Sequence, residues 1–401
     1  MVSRSKHVAR AWLAAALLLL CIAGHALAAP RIGVATMQPG EIFFERFGHD
    51  SIVVDDPALG KPVSYNFGFF DMSEAGFVGR FMRNDMQYLL VALPLEQDLV
   101  HYRETGRGVS IQWLDLSDDE ATRLAAKLAV NALPENARYR YQYFTDNCST
   151  RVRDALDGVL GGILRPQFEV RSTGNTFRSE AVRLASPAAW MWLGFDIGLG
   201  PSADLPNSLW QDSFVPMHLA EGLRQAKRAD GRPLVSSEQV ILPHLIAPEP
   251  VAMARPWWPW LLSGTVIGVL AWWLARRSPR VVAGVALGFW TLSATVGLLM
   301  AFIWLFTEHT FGWANHNLLL FNPLALLLLP GAWRILRGRD GGRWFKGLLM
   351  AIAACAVVAL FLHWLPLQPQ RNAHWIALLL PIHLAHLALL TTFSSARALP
   401  R

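Results

Sequence analysis

Two residues have the types and the settings for nucleophilic chemistry. The stretch FTDNCSTRVRDAL, residues 144–156, carries Cys148. Val152, Ala155, Leu156 and Val159 follow at helical spacing, so a helix starting near Cys148 turns the thiol toward its core face. Asp146 or Asn147 stands where an N-cap belongs. The positive end of a helix favours thiolate over thiol, and thiolate is the reactive form. A histidine base is its usual companion. Between residues 29 and 255 the histidines are His49, His101, His218 and His244. His49 follows Gly48 and precedes the β-like run SIVVDD, a strand-edge setting that suits a base. A cysteine on an apolar helix face is more often a small core residue, and a lone histidine more often structural. Against that stands the scarcity of cysteine. Cys21 lies in an N-terminal leader and Cys355 in an apolar span, so Cys148 has no disulfide partner. An idle thiol is a liability in an oxidising compartment.

Strands and helices must hold this pair. EIFFERFGHDSIVVDDPALGKPVSYNFGFFD reads as strand, strand, turn, strand, with Asp-Asp-Pro at the turn. YLLVALPL and GVSIQWLDL read as a further pair of strands. SDDEATRLAAKLAVNAL is a predicted helix with Ser117 and Glu120 as a capping box. ARYRYQYFTDN is an extended aromatic lead into the Cys148 helix, and Gly161-Gly162 ends that helix. A looser region follows, then an amphipathic helix near FVPMHLAEGLRQAK and a Pro-rich link, APEPVAMARPWWPW.

The rest of the chain belongs in a membrane. The sequence has 401 residues, 53% of them hydrophobic. Residues 1–28 have a basic start, a short apolar core and Ala-Leu-Ala before Ala29, the pattern of a signal peptide. Residues 29–250 then form the exported domain, and residues 256–395 a transmembrane domain. Five apolar stretches, at 257–275, 281–306, 317–333, 347–365 and 374–393, each approach the ~20 residues that cross a bilayer. The third is short and holds Asn322-Pro323, so it should be kinked or broken. RRSPR (276–280) and RILRGRDGGRWFK (334–346) are basic, which keeps them cytoplasmic and puts residues 29–255 outside. The net charge of +6 is therefore a topology signal and no argument for nucleic acid. No CxxC pair suggests a metal, and no cofactor is expected. His309, His316, Asn317 and Asn322 fall near the outer interface, as lipid-headgroup contacts or as helix caps and interhelical bonds.

RFGHDSIVVDD, YNFGFFD, YFTDNCSTRVRDAL and DIGLGPSADLPNSLWQDSFVPMHL, in that order, resemble the Lnb-type N-terminal periplasmic domain. The resemblance covers most of residues 29–245. It implies an α+β fold similar to circularly permuted papain-like (NlpC/P60-like) enzymes, in which a strand histidine precedes the cysteine helix. It also implies lipoprotein N-acyltransferase activity, with Cys148 as nucleophile and His49 as base. The implied partners are a membrane phospholipid and diacylated lipoproteins, at the bacterial inner membrane. Papain-like sites usually orient the histidine with a third polar residue. Asn66 on the next strand is the choice, ahead of Asp50, which points to the opposite strand face. The N–H of Cys148 should serve the oxyanion. Tyr143 and Asn147 are candidate substrate contacts, with His316 and Asn322 toward the bilayer. A thiol hydrolase of wall peptides or lipid, and a non-catalytic envelope binding module, are the alternatives.

Overall fold

Short β-branched and aromatic runs, buried on both faces in the central strands, build the exported domain around one antiparallel sheet. The computed structural model describes residues 29–252, 254–365 and 369–396. Its strands are β1 (Arg31–Met37), β2 (His49–Asp55), β3 (Val63–Phe69), β4 (Gln87–Pro94), β5 (Val109–Leu114), β6 (Arg138–Arg140) and β7 (Val235–Leu242), in the order β6-β4-β3-β2-β1-β5-β7. Between them lie α1 (Phe77–Arg83), α2 (Leu95–Glu104), α3 (Asp118–Asn131) and α4 (Cys148–Val159). β2 is central, pairing with β1 (Thr36 opposite Asp50) and with β3 (Ser51 opposite Asn66). Successive residues point to opposite faces. On one face Ile52, Val54 and Phe67 pack with Leu124 of α3 and with Val152 and Leu156 of α4. On the other, Met37, Val53 and Ile111 pack with Leu99 and Tyr102 of α2.

Several sequence expectations change here. EIFFERFG is no strand. It is a loop with a 3-10 turn at Phe43–Glu45, closed by Gly40 N–H and Gly48 N–H, which both donate to Glu45 O. The buried Glu45 carboxylate pins the loop through Arg107 (3.3 Å) and His101 (2.7 Å). β4 and β5 are both strands, but they do not pair with each other. α2 carries the chain across, so that β5 joins β1 on the far side of β2. β1, β7, α1 and α2 come in addition to the expected elements, and the Ser117/Glu120 capping box and the glycine stop after α4 are present.

Beyond α4 the chain forms α5 (Leu164–Glu169), α6 (Phe177–Ala185), α7 (Ala189–Gly198), α8 (Leu209–Asp212) and α9 (Pro216–Gln225). The membrane part holds α10 (Trp258–Arg277), α11 (Pro279–Phe306), α12 (Leu329–Leu336), α13 (Arg343–Trp364) and α14 (Ala373–Ala396). Five segments of the described residues are long and apolar enough to span a bilayer. The third, His316–Leu336, is broken as Asn322-Pro323 suggested. Two 3-10 pieces, His316–Leu319 and Pro323–Leu328, precede α12. Gly297 of α11 lets this break approach: a Cβ there would lie 2.0 Å from Phe321 O.

The charge-poor outer loops grip the exported domain. Asp196 of α7 accepts from His374 Nε2 (2.7 Å) and Trp375 Nε1 (2.9 Å) and pairs with Arg255 (3.4 Å). Asn315 and Asn317 both donate to Ile197 O, and Arg371 N–H donates to Asp204, the buried partner of Arg178. At the foot of α1, Glu308 N–H donates to Arg83 O and His309 Nε2 to Phe81 O (3.1 Å). Tyr143, Phe144 and Phe177 meet Phe311 in one aromatic cluster.

Candidate active site

Cys148 is the first residue of α4, held there by a reciprocal cap. Asn147 Oδ1 accepts from Thr150 N–H (2.9 Å) and Thr150 Oγ1 from Asn147 N–H (2.8 Å). Asn147 Nδ2 is also committed, to Tyr143 O (3.0 Å) and Phe214 O (2.8 Å). Every polar atom of this side chain is therefore spent on the fold, which removes the substrate contact expected of it. The helix start is locked to β2 by the next residue. Ser149 Oγ donates to Asp50 Oδ2 (2.6 Å), and Thr36 Oγ1 donates to Asp50 Oδ1 (2.8 Å). Opposite the end of β2, Gly68 adopts φ +95° at the bulge between Phe67 and Phe69. Its missing Cβ would sit 3.7 Å from Cys148 Cβ, so the strand passes close over the thiol where only glycine takes that backbone.

His49 opens β2, and its Nε2 lies 3.0 Å from Asn66 Oδ1. The amide's orientation follows from its other contacts. Asn66 Nδ2 meets Asp98 Oδ2 (3.1 Å), Ser64 Oγ (3.1 Å) and the Ser64 carbonyl (3.4 Å), and a carbonyl oxygen only accepts. Asn66 Oδ1 must then face the imidazole, so Nε2 carries the proton and Nδ1 is left as the basic nitrogen. Sequence reasoning chose Asn66 and missed Asp98. The apolar period Leu95, Leu99, Tyr102 was a readable sign of α2, but nothing in the sequence aims Asp98 at β3. Asp50 lies on the other face of β2 from Asn66, with hydroxyls for partners and not the imidazole.

The resting electrostatics correct one expectation. Burial pushes the Cys148 thiol up to about 12, and the nearby Asp50 carboxylate adds to the rise. The N–H groups of Asp50, Ser149 and Cys148 itself pull the other way and lose. The helix N-terminus therefore does not yield a resting thiolate, because desolvation outweighs the helix field. Burial also lowers His49, against the pull of Asp98 and Asn66, with Arg107 adding to the fall. The pair rests neutral, as thiol and imidazole, and among the described residues no hydrogen bond joins the two side chains.

The outer candidates lie elsewhere. Tyr143 is half-buried at the domain junction, its ring stacked 5.9 Å from His309. His316 donates its backbone N–H to Gln370 Oε1 (2.8 Å). Asn322 Oδ1 caps the 3-10 piece after it by accepting from Leu324 N–H (3.0 Å), the helix-cap alternative and not a free headgroup contact. Both belong to the broken third span, apart from the elements that carry Cys148 and His49.

Residues 26–186 match the family model of the Lnb N-terminal periplasmic domain, and residues 251–395 match that of the Lnb transmembrane domain. No match to a curated protein or to a solved structure was found. The first match spans the whole His49–Asn66–Asp98–Cys148 arrangement and the second the five spans. With both domains in order and the outer loops bound to the sheet domain, the chain is a multi-pass inner-membrane protein with its N-terminal domain in the periplasm, and it belongs to the Lnb family.

Proposed function

We propose that this protein is a cysteine-dependent acyltransferase that moves an acyl chain from a membrane phospholipid to the N-terminal amine of diacylated lipoproteins. The observation that carries the reading is the oriented imidazole: Asn66 and Asp98 fix His49 with Nδ1 basic, on the strand against which the Cys148 helix start is locked. A strand histidine, an asparagine on the neighbouring strand and a cysteine at a helix start make a papain-like set in permuted order. Family membership and the bond network joining the domain to the outer ends of the spans support a lipid substrate.

Because thiol and imidazole rest neutral, proton transfer accompanies attack. Nδ1 of His49 takes the Cys148 proton as sulfur bonds to the ester carbonyl carbon, and the Cys148 N–H helps hold the tetrahedral oxyanion. The C–O bond then breaks and the lysophospholipid alkoxide takes the proton from His49, leaving a thioester. The lipoprotein α-amine attacks that carbonyl and gives up a proton to His49. The C–S bond breaks, the thiolate recovers the proton, and an amide is released. In the hydrolase alternative water replaces the amine. Mass spectrometry of lipoprotein N-termini, with and without the protein, separates the two. Protein-dependent N-acylation supports the transferase; released fatty acid without N-acylation overturns it.

A further inference from the structure

A run of aromatic rings spans the outside of the exported domain, and both its ends stand on the membrane part. Trp190, at the start of α7, is 67% exposed and stacks on Phe43 (5.8 Å). The adjacent Phe44 meets Phe70 edge-on (5.5 Å), Phe70 stacks on Phe77 (5.8 Å), and Phe77 on Phe81 of α1 (6.5 Å). At one end, Phe81 O accepts from His309 in the loop after the second span. At the other, α7 is tied through Asp196 to His374 and Trp375 at the start of the fifth. Phe43 (42%), Phe44 and Met82 are exposed along the way. A contiguous apolar surface of this kind marks a binding site more often than it marks idle surface.

The same surface leads inward to the thiol. Phe70 stacks on Tyr88 (4.9 Å) and Tyr88 on Tyr141 (4.3 Å). Tyr141 and Cys148 both border the space above Gly68, and His49 follows Phe44 by five positions in the sequence. Drawing an acyl chain from a leaflet into water is opposed by every methylene exposed. An apolar path from the bilayer surface to the nucleophile removes that opposition.

We infer that the surface formed by Phe43, Phe44, Phe81, Met82 and Trp190 is an acyl-chain site, which holds a chain of the phospholipid donor between the outer leaflet and Cys148. This rests on the reading of Cys148 as the attacking thiol, but binding can be tested apart from chemistry. The full-length protein in nanodiscs is given a phosphatidylcholine with a diazirine on its acyl chain. After irradiation, adducts are expected on peptides holding 42–44 and 81–82, equally in wild type and Cys148→Ser. Absence of adducts there overturns the site. So does labelling only by a diazirine-bearing diacylated lipopeptide, or cross-linking only to a second copy of the chain.

Turnover supplies the second arm. The wild type should cleave p-nitrophenyl palmitate in micelles in preference to p-nitrophenyl acetate. Phe43→Ser with Phe44→Ser should lower that preference at least tenfold and leave the acetate rate in place. An unchanged preference overturns the proposal. If the double variant loses acetate turnover through misfolding, Met82→Ser at the far end decides by the same ratio. Acetate turnover that survives Cys148→Ser in full would instead sink the thiol chemistry, and the photolabelling would still judge the site.

Discussion

Two buried aspartates show how differently the site and the domain junction are built. Asp196, at the junction, would be raised by burial, but His374 with its bond and charge, then Arg178 and Arg255, outweigh this and hold it below the ordinary value. Among the described residues, Asp50, beside Cys148, is bonded only by the side-chain hydroxyls of Ser149 and Thr36. Burial wins and raises it to about 7. The junction is therefore an ionised, cation-matched weld, while at the site burial holds the thiol and the imidazole uncharged. Removing one member of a buried ion pair strands the other, so the junction should be sensitive in stability. The site should be sensitive in turnover.

The largest effect expected is at Cys148. Cys148→Ser keeps the shape and the cap, and should abolish acyl transfer while stability in detergent falls by no more than about 1 kcal/mol. A hydroxylamine-labile acyl adduct on the wild type, absent from the variant, is the direct check. A serine protein that still N-acylates at close to the normal rate ends the covalent scheme and the contrast with it. His49→Ala comes next. Loss of a positioned base should slow turnover on the order of 10²–10⁴-fold. Asn66→Ala should fall in the same direction by less, and His101→Ala should be mild. Equal losses at His49 and His101 would mean that the site has been misplaced.

At the junction the readout reverses. Asp196→Ala strands His374 and Arg255 and should destabilise the protein by about 3–5 kcal/mol. Thermal unfolding measures that loss, and ester turnover per folded molecule should be spared. A stable Asp196→Ala protein with damaged turnover would break the division of labour between the two regions.

Asp50 sets the site apart from the junction through pH. Its folded value, about 7, lies above the ordinary 3.8, so between these the folded state holds a proton that the unfolded chain has lost. By linkage, its contribution to stability is fully present below about pH 4 and is lost as pH rises through 7. At about 1.36 kcal/mol per pH unit the loss is at most about 4 kcal/mol. Asp50→Asn should remove this slope, so unfolding midpoints at pH 5 and pH 8 should differ more in the wild type than in the variant. Parallel pH profiles would show that Asp50 is ionised in the fold. The smallest effect concerns the resting thiol. With Cys148 pushed to about 12, its alkylation by iodoacetamide should be slow at pH 7 and rise about tenfold per pH unit toward pH 10. A rate already flat from pH 7 would mean a preformed thiolate.

The features legible in the chain alone are local or repetitive. The five spans, the break at Asn322-Pro323 and the basic loops follow from apolar run lengths and Lys/Arg bias, which a bilayer reads directly. The Cys148 helix and its cap follow from spacing within one turn, and His49 and Asn66 from their places on neighbouring strands. The remainder depends on what each residue meets far along the chain, which emerges only on folding. Glu45 draws EIFFERFG out of strand geometry by bonding Arg107 and His101. Asp98 reaches Asn66 because α2 folds back over β3, and Asp50 stays protonation-prone because the chain brings it hydroxyls and no cation. The thiol's ionisation, which helix position alone would have lowered, is set by burial, and burial is a property of the packed whole.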